Sequence, residues 1–201
     1  ILNNSNQSNF SQEGIKDLSH LKTYTIDDTD SIEIDDAISL ERISGNYKLW
    51  VHIASPALHI EYDSKIDKYA RKLISTVYSS KKNIYMFPEV LITRILSLTN
   101  KELRSSLSLG VILNNDGSIH SSELKQSVIK ANYQLSYDEA DELIDYAPKE
   151  EEDLSIISNI LEKRKSWRIN NGAKDISESY GKIIVKENHP IIKVIDQTIS
   201  R

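Results

Sequence analysis

Residues 25–39 read TIDDTDSIEIDDAIS, and Asp27, Asp28, Asp30, Glu33, Asp35 and Asp36 put six carboxylates into ten residues. Like charges this close cost folding free energy unless a cation or water relieves them, yet isoleucines stand among them in a pattern that asks for burial. The alternation of Ile32 and Ile34 with Glu33 and Asp35 predicts an extended strand with the acids on the face opposite the isoleucines. Asp36 falls where the Asp-Asp pair presents carboxylates to both faces, or where a bulge turns it towards its neighbours. A loop through residues 28–31 folds Asp27 back beside the strand. Asp27, Glu33, Asp35 and Asp36 would then form a hard, oxygen-only site suited to Mg2+ or Mn2+, with no softer shell at hand because His52 and His59 lie beyond the next turn.

Two other uses of an acidic run compete with that one. A solvated loop is the commoner, but the interleaved isoleucines weigh against it. An EF-hand frame counted from Asp28 puts Glu33 where the glycine belongs and Ser39 where the bidentate glutamate belongs, which excludes it. Pattern alone leaves a metal site and a solvated acidic segment both open.

Composition narrows the class. With 201 residues, 39% hydrophobic and 27% charged, the chain is long and apolar enough to fold around a core. Cysteine is absent, so disulfides, zinc thiolate sites and cysteine nucleophiles are excluded. No apolar run approaches the roughly 20 residues that span a bilayer, and no signal-peptide layout opens the chain; no membrane partner is expected. A net charge of -5 argues against binding nucleic acid through bulk charge and leaves room for a local basic channel. The first residue is Ile1, so the chain is expected to be a piece or a processed form.

Residues 1–15, rich in Asn, Ser and Gln, read as a polar arm or linker end. Alternating segments at 31–42 and 47–54, joined by Ser44-Gly45-Asn46, predict an antiparallel hairpin whose apolar face includes Leu49, Val51 and Ile53. Residues 62–77 have helical spacing, and Pro88 opens a short helix through Val90, Leu91 and Ile95. Segments 107–113 and 124–131 flank NNDG, a second hairpin. Ser136 and Glu139 stand at capping-box spacing with Tyr137 in the first helical turn, and 154–168 is an amphipathic helix ended by NNG at Asn170 to Gly172. The order predicts an α+β fold with a mixed, mainly antiparallel sheet and flanking helices. Lys81 and Lys82 read as solvated surface, and the basic cluster at 162–168 as a helix end favoured by the macrodipole, with Trp167 at core spacing from Ile160.

TIDDTDSIEIDDAIS is similar to the signature of the ribonuclease II and ribonuclease R (RNB-domain) family, in which an Ile-Asp, a short spacer and an acid precede Asp-Asp-Ala. KDLSHLKTYTIDD, YKLWVHIASPA, DKYARKLISTVYSS, MFPEVL, LSYDEADELI and RINNGAKD follow the family's order with closely similar spacing, so the resemblance covers Lys16 to the end. It implies the N-terminal portion (16–201) of an RNB catalytic domain that in the family continues into helices completing an RNA channel and supplying an arginine. It further implies an Mg2+-dependent (Mn2+ as substitute) hydrolytic exoribonuclease that shortens single-stranded RNA from the 3′ end to nucleoside 5′-monophosphates. By position Asp27, Glu33, Asp35 and Asp36 match the four metal-site acids, Tyr78 the aromatic that stacks on the 3′-terminal base, and Tyr137 a residue beside the ribose. Glu33 stands where Asp is usual and, with the Asp-Asp spacing, is closest to cyanobacterial or plastid members, so the expected location is bacterial cytoplasm or plastid. The chain alone is expected to degrade RNA poorly and to expose apolar surface for self-association or a docking partner. The other class of function is a catalytically silent RNA-binding or interaction module that keeps the fold.

Overall fold

The computed structural model describes residues 14–79, 82–99, 102–174, 180–186 and 189–195; apart from Gly14 and Ile15, the expected polar arm lies outside them, as does Lys81. In chain order the elements are β1 (Lys16–Asp17), β2 (Thr23–Ile26), β3 (Asp36–Ile43), β4 (Asn46–Ala54), α1 (Lys65–Leu73), α2 (Glu89–Leu91), β5 (Leu103–Leu113), β6 (Ile119–Leu135), α3 (Tyr137–Tyr146), α4 (Glu152–Asn170), β7 (Tyr180–Lys186) and β8 (His189–Ile195). A π-helical turn, Ile92–Leu96, continues α2.

Strands β1 to β6 form one mixed sheet, and β7 and β8 a separate antiparallel pair. The hairpin register runs from Asp36 opposite Ile53 to Ile43 opposite Asn46, with Gly45 at φ 73° in its turn. β4 pairs antiparallel with β5, and β5 with the first two thirds of β6. The last third of β6 turns to β2, pairing parallel from Ala131 to Leu135, and β2 pairs antiparallel with β3. The sheet thereby closes on itself through β6, whose second edge is paired from Ser127 onward by β1 and β2.

Closure decides which face is the core. On β4 the fully buried side chains are Trp50 and His52, while Ile53 is exposed, so the interior takes the residues between the expected apolar ones. Trp50 packs with Leu18, Leu21, Ile34, Ala37, Leu98 and Ile129, and its Nε1 donates to Glu41 Oε2 at 2.8 Å. His52 is held between Ser39 Oγ (2.9 Å from Nε2) and Ser108 Oγ (2.6 Å from Nδ1); burial lowers its pKa to about 4, so the ring is neutral. Ser106 and Ser127 extend this hydroxyl network. On the outer face, Leu40 and Leu49 are covered by Ile157 of α4, with Ile38, Ile156 and Ile160 around them, while Leu107, Leu109 and Leu124 stay exposed beside Ile53.

Two expected boundaries are corrected. The strand expected from residue 31 begins at Asp36, because Ile34 N–H donates to Ser97 Oγ (2.9 Å) and Ile34 C=O accepts from Leu98 N–H (2.8 Å), drawing residues 33–35 to the end of the π-helical turn. The helix expected over 62–77 is Lys65–Leu73: Ser64 caps it by accepting from Asp67 N–H, and Ile74 at φ 71° stops it. The second hairpin forms about the NNDG turn with longer strands than the expected 107–113 and 124–131, namely Leu103–Leu113 and Ile119–Leu135, and the capping box appears as expected. Gly117 at the NNDG turn abuts α4, where a Cβ would lie 2.2 Å from the Lys163 carbonyl oxygen.

Gly110 lies under Trp50, and a Cβ there would stand 2.8 Å from the indole. Gly110→Ala is therefore expected to lose about 1–3 kcal/mol through overpacking, read as a lower midpoint in urea unfolding with an unchanged slope.

Candidate active site

The acidic segment is positioned by the closing strands. β2 ends at Ile26, and Asp27 N–H donates to the carbonyl of Leu135, the last residue of β6, at 3.0 Å. The Asp27 carboxylate accepts from Asp28 N–H (2.7 Å) and Ser31 Oγ (2.8 Å), and Ser31 N–H closes a turn onto Asp28 C=O (3.0 Å). The chain thus folds back as the spacing of 28–31 implied. Antiparallel pairing of Tyr24 with Ile38, continued two residues, brings Asp36 opposite Ile26. Asp35 is fixed through its backbone, its C=O accepting from Ala54 N–H at 2.7 Å.

The four acids divide two and two. Asp27 and Asp36 line a recess of about 490 Å³ with Tyr24, Ile26, Ala37, Ile38 and Tyr137. Glu33 and Asp35 line another, of about 450 Å³, whose walls include Ile53, Thr76, Tyr78, Met86 and Phe87. Tyr137 is the first residue of α3, set by the reciprocal bonds between Ser136 and Glu139. Tyr78 is 68% exposed and its hydroxyl donates to Glu33 Oε2 at 3.1 Å. Two contributors were missed from the sequence. Thr76, which donates to Glu33 Oε1 at 3.1 Å, shares a face with Tyr78 by strand period two. Tyr24 stacks on Tyr133 with centroids 5.1 Å apart and donates to Glu151 at 2.9 Å, pinning the wall of the first recess to the start of α4; no local pattern marks it. In the basic cluster, Arg164 stacks over Trp167 at 4.6 Å and donates to Gly117 C=O, a structural use.

Mutual repulsion is the site's electrostatic signature. Desolvation, then the charges of Glu33, Asp36 and Asp27, push Asp35 up to about 6; desolvation and then Asp27 push Asp36 up. Desolvation and the Glu33 charge lead the causes that raise the Tyr78 hydroxyl to about 12. Among the described residues no three acidic or histidine side chains already stand close enough to hold a metal ion. The donors nonetheless suit a hard divalent cation: all are carboxylate oxygens, and neither Asp35 nor Asp36 spends its side chain on a hydrogen bond among the described residues.

The RNB domain family matches residues 15–200. The chain belongs to the RNB family. Relatives include a chloroplastic/mitochondrial ribonuclease II of Arabidopsis thaliana, 35% identical over 89% of this chain and 23% of its own length, and an uncharacterized ribonuclease of Synechocystis, 35% identical over 89% of this chain and 26% of its own. This RNB chain therefore spans about a quarter of the length of those relatives. Its fold matches Mycoplasma genitalium RNase R, solved in complex with ribose-methylated single-stranded RNA, with a TM-score of 0.88 at 24% identity, over 100% of this chain and 32% of that one. It also matches yeast Ssd1, a pseudonuclease, with a TM-score of 0.69 at 22% identity, over 78% of this chain and 20% of that one.

An acid whose folded pKa is raised destabilises the fold wherever it is ionised in the folded state. For Asp35 that cost is full above about pH 6 and fades towards the ordinary 3.8, where the folded and unfolded chains both hold the proton. In the absence of divalent ions Asp35→Asn is expected to raise Tm at pH 7.5 by about 2–4 °C, roughly 1 kcal/mol once the residue's open side to solvent is discounted, and to change Tm little at pH 4; thermal scans at the two pH values check it.

Proposed function

We propose that this RNB chain is the acidic-site part of an Mg2+-dependent exoribonuclease that hydrolyses single-stranded RNA from its 3′ end and releases nucleoside 5′-monophosphates. The observation that carries the reading is the pairing of each acid-lined recess with a tyrosine: Asp27 and Asp36 with Tyr137, Glu33 and Asp35 with Tyr78. Asp27, Asp35 and Asp36 would hold the cation, Glu33 being the fourth acid of the set. A divalent cation held there would supply the activation of a water and the stabilisation of charge on the phosphodiester oxygens. The reaction adds water across the P–O3′ bond: hydroxide oxygen joins phosphorus, the proton goes to the departing 3′ oxygen, and the phosphate stays on the released nucleotide. The exposed Tyr78 ring offers a stacking face that any base can use, worth about 1–3 kcal/mol, and Tyr137, which lines the recess of Asp27 and Asp36, would contact the ribose.

The likeness to a pseudonuclease supports a second reading, a silent RNA-binding module. The four carboxylates favour the enzyme, because a silent module gains nothing from the repulsion at Asp35. Bacterial cytoplasm or plastid is the location in keeping with the chloroplastic/mitochondrial and Synechocystis relatives. The exposed apolar face at Ile53, Leu107, Leu109 and Leu124 supports self-association or a docking partner.

In a chain of the relatives' full length, Asp36→Asn is expected to abolish Mg2+-dependent shortening of 5′-labelled single-stranded RNA while RNA binding persists, since losing a ligand strikes the transition state more than contacts along the strand. Parallel loss of both would mean a folding defect. Tyr78→Ala is expected to alter the distribution of end products on a sequencing gel, and an unchanged ladder returns Tyr78 to a structural role. The chain of 201 residues alone, at net charge -5, is expected to shorten the same RNA poorly and to bind it with steep salt dependence; shortening at an enzyme-like rate, lost in Asp36→Asn, would refute that expectation.

A further inference from the structure

Glu33 is the acid engaged with the aromatic arm. One carboxylate oxygen takes the Thr76 hydroxyl and the other the Tyr78 hydroxyl, each at 3.1 Å. Thr76 Oγ1 in turn accepts Met86 N–H at 3.1 Å, and Val77 and Ile84 exchange both backbone bonds at 2.8 and 2.9 Å. The described residues 76–79 and 82–86 are therefore tied together into an arm by the Val77–Ile84 bridge, with Thr76 and Tyr78 both reaching Glu33. Glu33 is followed by Ile34, which is buried and tied by its backbone to Ser97 and Leu98, so its anchor point is rigid. Its longer side chain spans from that anchor to two hydroxyls at once, whereas neither Asp35 nor Asp36 makes a side-chain hydrogen bond among the described residues.

We infer that Glu33 is a positioning residue, a two-point latch that fixes the Tyr78 arm at a set distance from Asp35 and Asp36. The inference rests on the exoribonuclease reading and refines one residue of it. A processive hydrolase must keep the base at the 3′ end and the scissile phosphodiester in one register, and a tyrosine on a surface arm cannot do that unless the arm is tied to the acids. The latch supplies that tie, and its geometry sets how many atoms of RNA separate the stacked ring from the reacting phosphate.

Three substitutions separate a latch from a metal ligand. Glu33→Gln keeps a two-point partner for the hydroxyls without the charge; Glu33→Asp keeps the charge and shortens the reach; Glu33→Ala removes both. Amide hydrogen exchange at described residues of the arm, 76–79 and 82–86, is expected to stay within about twofold of wild type in Gln and to quicken by about tenfold in Asp and Ala, which no longer reach both hydroxyls. Mn2+ affinity, measured by titration calorimetry, is expected to change by less than about threefold in Gln. The reverse order, with Gln and Ala losing Mn2+ affinity by tenfold or more and Asp keeping both affinity and arm protection, overturns the inference. A double-mutant cycle adds a readout that mere structural support would not move: Tyr78→Phe keeps the ring and removes the latching hydroxyl. It and Glu33→Ala should each weaken binding of a single-stranded oligouridine by about three- to tenfold, with the double variant no worse than either single; additive losses overturn the latch. Asp36→Asn is the control for the underlying reading: if it leaves Mn2+ affinity unchanged, the metal-site reading fails, while the exchange pattern still decides whether Glu33 holds the arm.

Discussion

Strand β6 is hydrogen-bonded along both edges, to β5 on one side and to β1 and then β2 on the other, and the geometry of the acidic site depends on that. Asp27 is placed by the carbonyl of Leu135, and Asp36 by the pairing of β3 with β2, so two acids distant from β6 in sequence inherit their positions from its C-terminal end. Closing a small sheet also dictates the chemistry of its interior. With Trp50 and His52 both pointing inward, the positions paired with them across β3 and β5 are small, Ser39 and Gly110 beside Trp50 and Ala37 and Ser108 beside His52, and Ser106 and Ser127 extend the hydroxyls. The hydroxyls among them satisfy both nitrogens of a neutral imidazole, without which burying His52 would be costly.

That rigid frame is what allows the acids to coexist. None of the backbone segments carrying them is free to relax: Ile34 is buried and bonded at both its N–H and C=O, and Asp35 is tied to β4. The repulsion at Asp35 is therefore imposed by the fold and offset by burial elsewhere, the usual relation between a charged site and its scaffold. Glu33 escapes part of it by turning its carboxylate to the hydroxyls of Thr76 and Tyr78.

Local chemistry was readable from the chain and long-range pairing was not. The turns at Gly45 and Gly117, the Ser136–Glu139 capping box and the burial of Ile34 all follow from signals within a few residues. The parallel pairing of β2 with β6 joins positions more than a hundred residues apart, and nothing in four residues reading Thr-Tyr-Thr-Ile announces a partner. Alternation misled on β4 because both faces of that strand are partly covered. Trp50 and His52 face the interior, among an apolar cluster and small hydroxyls, while Leu49 goes under α4 and Ile53 faces out. At the site, Asp27, Glu33, Asp35 and Asp36 were singled out by alternation together with the family resemblance, and their division between two recesses was not legible. That division depends on residues 33–35 leaving the strand ladder for Ser97 and Leu98, some sixty residues downstream.

The double-edged pairing of β6 also governs when the acidic segment can acquire its shape during synthesis. Thr23 to Ile26 leave the ribosome long before Ala131 to Leu135, their partners. At about 5–20 residues per second, that interval lasts on the order of 5–20 s. Throughout it the β3–β4 hairpin can form, but the turn carrying Asp27 has no Leu135 carbonyl to close against. Until β6 arrives, the acidic segment therefore lies beside strand edges that have no partner, since β2 pairs with β6 as well as with β3.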